Sequence, residues 1–267
     1  MTPVFEFEDV CYTYPGQPQP ALQGATLSVS AGQKVVVLGR NGSGKSTLFL
    51  HSNGILRPNR GLVRFKGQPL RYDRASLLAL RREVGIIFQN PDDQLFSASV
   101  AQDISFGPLN LGLSGGEARR RVQAAAELCE ITDLLDRPTH ALSGGQKARV
   151  ALAGLLAMDP SFLIVDEVTA SLDTPIRRQL FILLQQLVAQ GKTVMLATHD
   201  LDEARYWADW VVLMEAGRVI AADTPARIFA DRGLLERLGM AEPWYAPFVN
   251  GRHSAARSPN GFGTPER

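Results

Sequence analysis

The run "GRNGSGKST", Gly39 to Thr47, directly follows the β-branched stretch "KVVVL" and fits Gly-x-x-x-x-Gly-Lys-[Ser/Thr] in the strand–loop–helix setting that this pattern requires. A loop with this spacing turns backbone N–H groups toward phosphate oxygens at a helix N-terminus, where the helix dipole also favours an anion. The candidate contacts are Gly39, Asn41, Gly42, Ser43, Gly44 and Thr47, with Lys45 reaching the β- and γ-phosphates and Ser46 coordinating Mg²⁺. The chemistry predicted is nucleotide binding.

Two later stretches supply groups suited to phosphoryl transfer. "FLIVDE" ends a buried-type strand in two acids, so Asp166 can hold the Mg²⁺ shell while Glu167 polarises an attacking water. "LATHD" closes another predicted strand with His199, and a strand's carboxyl end is where ligands of open α/β sheets bind, so His199 is a candidate contact to the γ-phosphate.

A Ser-Gly-Gly helix start occurs twice, as "LSGGEARRRV" from Ser114 and "LSGGQKARVA" from Ser143. Each has Glu or Gln three residues on (Glu117, Gln146), the pattern of a reciprocal capping box. Ser143 opens a helix whose apolar face leads through Asp159-Pro160 into the strand that ends at Asp166. Ser114 opens an arginine-rich helix, where Glu117 would repel a phosphate at the helix end and neutral Gln146 would not. Ser143 is therefore the candidate site and Ser114 a cap.

The elements that must position these groups read as an α/β protein. "PVFEFEDVCYTY", "LQGATLSVS" and "GLVRFKGQPL" alternate as half-exposed strands, an N-terminal antiparallel β subdomain. "KVVVL", "EVGIIFQ", "SFLIVDE" and "TVMLATH" read as buried, mostly parallel strands, with a short helix at Leu77–Arg81 and the amphipathic "PIRRQLFILLQQLVAQ" as helices. Between Ser99 and Ala157 helical periodicity replaces the strand signals, which predicts an inserted α-helical subdomain over about 99–157. "WVVLMEAGRVIAAD" reads as a hairpin, and "TPARIFADRGLLERLG" as a helix capped by Thr224 with Pro225 at its first position. Residues 1–240 are expected to form one nucleotide-binding domain, and 241–267, rich in Pro, Gly, Ser and Asn, a loosely ordered tail.

Composition narrows the classes. An apolar share of 45% suits a folded domain with a sizeable core, and a formal charge of +1 gives no global reason to expect a nucleic-acid partner. Two cysteines, Cys11 and Cys129, are too few for a disulfide framework or a zinc site, which fits a reducing cytosol. No basic-then-apolar leader opens the chain, and the longest apolar run, "VALAGLLAM", is about half a membrane span, so the chain is not expected to cross a bilayer by itself.

Taken together, "GRNGSGKST", Gln89 in "GIIFQNPDDQLF", "LSGGQ", "FLIVDE", "ASLD" and "ATHD" resemble, in order and spacing, the nucleotide-binding subunits of ATP-binding cassette (ABC) transporters. Within them, "VGIIFQNPDDQLFSASVAQDISFGPLNLGL" is similar to the ATPases of energy-coupling-factor importers, most closely the cobalt/nickel type. The resemblance implies the P-loop NTPase (RecA-like) core of the ABC ATPase fold, ATP and Mg²⁺ as ligands, and Glu167 as catalytic base with Lys45, Gln89 and His199 assisting. Gln89 would meet Mg²⁺, alongside Ser46 and Asp166, and sense the membrane partner. Ser143, Gly144, Gly145 and Gln146 would touch the γ-phosphate held by a second subunit. Tyr14, or alternatively Tyr12, would stack on adenine, Asp173 would lie between subunits, and His199 would act as a switch. The implied assembly is an ATP-sandwich homodimer on the cytoplasmic face of the membrane, with an integral coupling subunit and a metal-binding membrane subunit. "QNPDDQLFSASVAQD" would line a docking groove in which Leu95 and Phe96 sit beside Asp92 and Asp93. The family usually has proline after the catalytic glutamate; Val168 stands here, which puts the local turn in question. The remaining alternatives are the ATPase of another ABC transporter or a soluble ABC ATPase without a transporter.

Overall fold

The computed structural model describes residues 3–240. Strands β1 (Pro3–Tyr12), β2 (Leu22–Ser30), β4 (Arg60–Phe65) and β5 (Gln68–Pro69) form an antiparallel sheet in the order β2-β1-β4-β5. Its alternation is that of a one-sided sheet: Phe5 faces Val29 and Phe65, Phe7 faces Leu27 and Val63, and these residues turn toward the core. Gly61 is required where β4 crosses the irregularity at Asp9. Its φ is +88°, and a Cβ there would lie 2.3 Å from the Asp9 carbonyl oxygen.

A second sheet has the order β10-β9-β3-β8-β7-β6, built from β3 (Lys34–Leu38), β6 (Val84–Ile87), β7 (Phe162–Asp166), β8 (Thr193–Thr198), β9 (Trp210–Glu215) and β10 (Arg218–Asp223). Every pairing in it is parallel except β9–β10. β3, β7 and β8 are apolar along their length because both faces are covered. The two sheets meet through aromatic packing, with the Phe5 ring edge-on to Phe162 at 4.8 Å between centroids. Parallel pairing brings the carboxyl ends of β3, β8 and β7 side by side, Leu38 opposite Thr198 and Asp166 opposite Ala197.

Helix α1 (Lys45–Ser52) follows the glycine-rich loop, and α2 (Arg74–Glu83) is capped by Asp73, which extends the shorter predicted helix at both ends. Helices α3 (Val100–Asn110), α4 (Gly115–Leu128) and α5 (Gly144–Ala157) occupy the stretch between β6 and β7. Helices α6 (Thr174–Ala189) and α7 (Leu201–Trp207) flank β8 in the chain.

Two local expectations are corrected. The run from Thr224 does not form one helix: α8 (Pro225–Ala230) stops, and α9 (Arg232–Arg237) restarts, because the Asp231 side chain accepts from the Leu234 N–H and caps a new first turn. The two Ser-Gly-Gly starts also differ. At Ser143 the capping box is complete, with Ser143 N–H donating to Gln146 Oε1 at 2.9 Å. At Ser114 only the hydroxyl caps; Glu117 turns away to Arg120 and Arg121. Guanidinium groups one turn along outcompete a backbone N–H for a carboxylate.

The described residues divide into two compact units, residues 3–228 and 229–240. The expected tail over 241–267 lies outside the described residues.

Candidate active site

The loop between β3 and α1 is shaped by close approaches that exclude side chains. A Cβ on Gly39 would meet Ser43 Oγ at 2.4 Å and the Met214 carbonyl oxygen at 2.6 Å. Gly42 and Gly44 have φ of +78° and +105°, the left-handed region that glycine enters without strain. The loop is braced from the β9–β10 hairpin, whose Gly217 N–H donates to the Ser43 carbonyl at 2.9 Å.

Lys45, the first residue of α1, is buried with its ammonium turned back under the loop. Nζ donates to the carbonyls of Gly39 (2.7 Å) and Arg40 (3.2 Å) and lies 2.9 Å from Glu167 Oε1. Glu167 is also buried, and its other carboxylate oxygen accepts from Gln89 Nε2 at 3.0 Å. The Glu167 backbone is left-handed, φ +49° and ψ +18°, which turns the chain sharply out of β7 into a 3₁₀ turn at Val168–Ser171. Val168, where proline is usual in the family, is buried and carries this turn.

Asp166, one residue earlier, is 4% exposed. Burial pushes its carboxyl above the ordinary range, opposed by a hydrogen bond from Ser46, and Oδ1 has no hydrogen-bond partner. A buried carboxylate oxygen without a donor, beside a serine hydroxyl, fits one face of a Mg²⁺ shell whose remaining ligands are phosphate and water.

Tyr14, Ala21, Asn41, Gly42, Ser43, Gly44, Lys45, Ser46, Thr47, Gln89 and Glu167 line one open cleft of about 400 Å³. Tyr14 hydroxyl and Thr47 Oγ1 are 3.2 Å apart, while Tyr12 packs edge-on behind it, between the Tyr14 and His51 rings. His51 is fully buried, and desolvation lowers its pKa, so the imidazole behind the cleft is held neutral. Ala21, part of the wall, carries no sequence signal of its own. Ser143 and Gly144 stand exposed at the start of α5, with Gly145 and Gln146 half-buried behind them. Asp173 is exposed and caps α6 by accepting from the Ile176 N–H, and His199 is exposed just past β8. None of these lines the cleft within a single chain.

The stretch after Gln89 also departs from expectation. Asp92 is matched by Lys147 Nζ at 2.5 Å, so its charge is neutralised from α5, the residue after Gln146. Phe96 is 65% exposed and Leu95 half-buried; the Phe96 ring meets Phe106 edge-on at 4.7 Å. Phe106 and Leu109, about half exposed on α3, widen this apolar surface beyond the predicted residues.

A family model described as ABC transporter matches residues 22–170. The chain belongs to the ABC transporter ATP-binding family. This cassette is 48% identical over 243 residues to a cobalt import ATP-binding protein, CbiO, of Rhodobacter capsulatus, covering 91% of this chain and 86% of the relative. It is 42% identical over 244 residues to an energy-coupling factor transporter ATP-binding protein, EcfA, of Methanosphaera stadtmanae, covering 91% and 87%. Among solved structures it is similar to cbiO1 from Clostridium perfringens, part of a cbiONQ complex, with a TM-score of 0.76 at 40% identity over 94% of this chain and 98% of that one. A bacterial ABC transporter cassette solved as a dimer, MJ0796, superposes with a TM-score of 0.75 at 27% identity over 83% and 98%. The cassette is an ABC-type ATPase.

Proposed function

We propose that this cassette powers import of a divalent transition metal ion, cobalt or nickel, through an energy-coupling-factor transporter. Residues 1–240 act as its ATP-binding domain. The chain sits peripherally on the cytoplasmic face, bound to an integral coupling subunit that works beside a metal-binding membrane subunit. Among the described residues no helix is long and apolar enough to cross a membrane, which accords with a peripheral place.

The observation that carries the hydrolytic part is the convergence of Lys45 and Gln89 on the two oxygens of Glu167 at the cleft wall. A γ-phosphate in the glycine-rich loop exchanges partners with Lys45, since its charge outweighs a neutral carbonyl and competes with the carboxylate. Glu167, released from the ammonium, then orients a water and accepts its proton, while Gln89 keeps hold of the other oxygen. Ser46, Asp166 and Gln89 would hold Mg²⁺, which would supply charge neutralisation at the phosphate. Tyr14 offers its ring to the base.

The second half of each site comes from another copy. The start of α5, where Ser143 and Gly144 are exposed and Gly145 and Gln146 half-buried, presents a positive helix end suited to the γ-phosphate of a facing chain. Asp173 lies near that contact and His199 meets the phosphate as the dimer closes. A symmetric dimer therefore encloses two ATP molecules, and hydrolysis reopens it. The relative named for cobalt import supports the choice of cargo.

Uptake of labelled Co²⁺ and Ni²⁺ by cells expressing the complete transporter tests this reading, with Glu167→Gln as the control. Uptake of at least one ion that the variant abolishes supports it; uptake of both ions indifferent to the variant overturns it.

A further inference from the structure

Glu203, on the first turn of α7, is a buried carboxylate that the chemistry above does not use, with 9% of its surface exposed. Its Oε2 accepts from Thr169 Oγ1 at 3.2 Å, and Arg177 Nη1 lies 4.0 Å from Oε1, which has no hydrogen-bond partner among the described residues. Thr169 and Thr198 are each 2% exposed, so these hydroxyls are shielded from water.

The partners come from three separate segments of the chain. Thr169 lies in the 3₁₀ turn two residues after Glu167. Thr198 ends β8, one residue before His199. Arg177 stands in the first turn of α6, which Asp173 caps. Asp200 closes the ring: its carboxylate is 3.5 Å from Arg177 and caps α7, and its N–H donates to Thr198 Oγ1 at 3.0 Å. Burying a carboxylate is costly unless it is fully bonded, and a leucine of similar volume would fill the space more cheaply. What an apolar side chain cannot do is hold the Thr169 hydroxyl and face the Arg177 guanidinium, which Asp200 ties to Thr198 at the end of β8.

We infer that Glu203 is a positioning residue for ATP hydrolysis, which locks the turn after Glu167 to the end of β8 and the start of α6 so that the left-handed Glu167 backbone is held in one orientation. This rests on the reading of Glu167 as the base. Among the described residues no side-chain hydrogen bond or ion pair joins Glu203, Thr169 or Arg177 to the glycine-rich loop, so loss of the network is expected to act on turnover and spare ATP binding.

The test uses the full chain. Glu203→Ala is expected to lower kcat about 10- to 100-fold, the size found when supporting residues behind a reactive group are removed, with KM for ATP changed less than about threefold. Glu203→Gln, which keeps an oxygen for the Thr169 hydroxyl, is expected to recover most of that loss. Thr169→Val removes one hydroxyl at constant shape, and about a fivefold fall in kcat is expected even if Glu203→Ala does not fold. Unchanged kcat in Thr169→Val, a KM that rises in step with the loss, or a glutamine variant as poor as alanine overturns the inference. A double-mutant cycle separates it from the base assignment. If Glu203→Ala lowers residual turnover as much in Glu167→Gln as in the parent, Glu203 does not act through Glu167. If Glu167→Gln alone keeps full turnover, it is the base assignment that fails.

Discussion

Lys45 Nζ and Glu167 Oε1 lie 2.9 Å apart with both side chains buried, and the same ammonium is held by the carbonyls of Gly39 and Arg40. The proposed phosphate-binding cation and the proposed base are thus each other's partners, so substitutions at the two positions must fail differently. Glu167→Gln is expected to cut turnover by at least about 100-fold while ATP still raises the melting temperature. Lys45→Ala is expected to lose both turnover and the ATP-dependent thermal shift. Equal thermal shifts in the two variants would contradict this division of roles.

The twin serines offer a second contrast. Ser143→Arg places a long cation at the exposed start of α5 and is expected to leave a monomer when ATP is added in a Glu167→Gln background, as read by light scattering. Ser114→Ala should dimerise normally and lose only a cap, about 1 kcal/mol of stability. Retained dimerisation in Ser143→Arg would remove the α5 start from the proposed interface.

The apolar surface on α3 yields a third. Phe96→Asp puts a charge beside the half-exposed Phe106 ring. We expect normal ATP binding by the soluble chain, loss of co-purification with the integral coupling subunit, and loss of metal uptake. A variant that stays bound and transports normally would locate the docking site elsewhere.

Thiol chemistry gives a fourth, independent of function. Burial raises the Cys129 thiol to about 12, whereas Cys11 is half-buried on β1. Because the thiolate is the reactive form, the native chain should modify at one thiol between pH 7 and 9 and at two only after denaturation. Two thiols reacting at similar rates in the native chain would show that Cys129 is not sealed from solvent.

How much was legible in the sequence depended on whether the signal was local. The glycine-rich loop, the buried strands around it and the Ser143 capping box follow from spacings of a few residues, and each forms as read. Asp166 and Glu167 were visible as the acidic end of an apolar strand, but their contacts with Ser46, Lys45 and Gln89 depend on which strands are neighbours. The pairing of Asp92 with Lys147, the turning of Glu117 toward its own helix, and the restart at Asp231 were hidden for a related reason. Each is a competition between two acceptable partners, decided by side-chain reach. Glu203 carries no signal of its own, since nothing in its segment says that the Thr169 hydroxyl reaches it.

Strand β3 has a consequence for how the chain is made. It bears the glycine-rich loop, yet its sheet neighbours are β8 and β9, so residues 34–38 pair with residues 194–198 and 210–213. A ribosome delivers the central strand early and both its neighbours last. Until they emerge, an apolar strand with two open edges must be kept from pairing with other chains, and long-range parallel pairing is slow to form. The sheet under the nucleotide pocket is therefore completed only once residues 194–213 have emerged, and ATP can serve as a ligand only after that point.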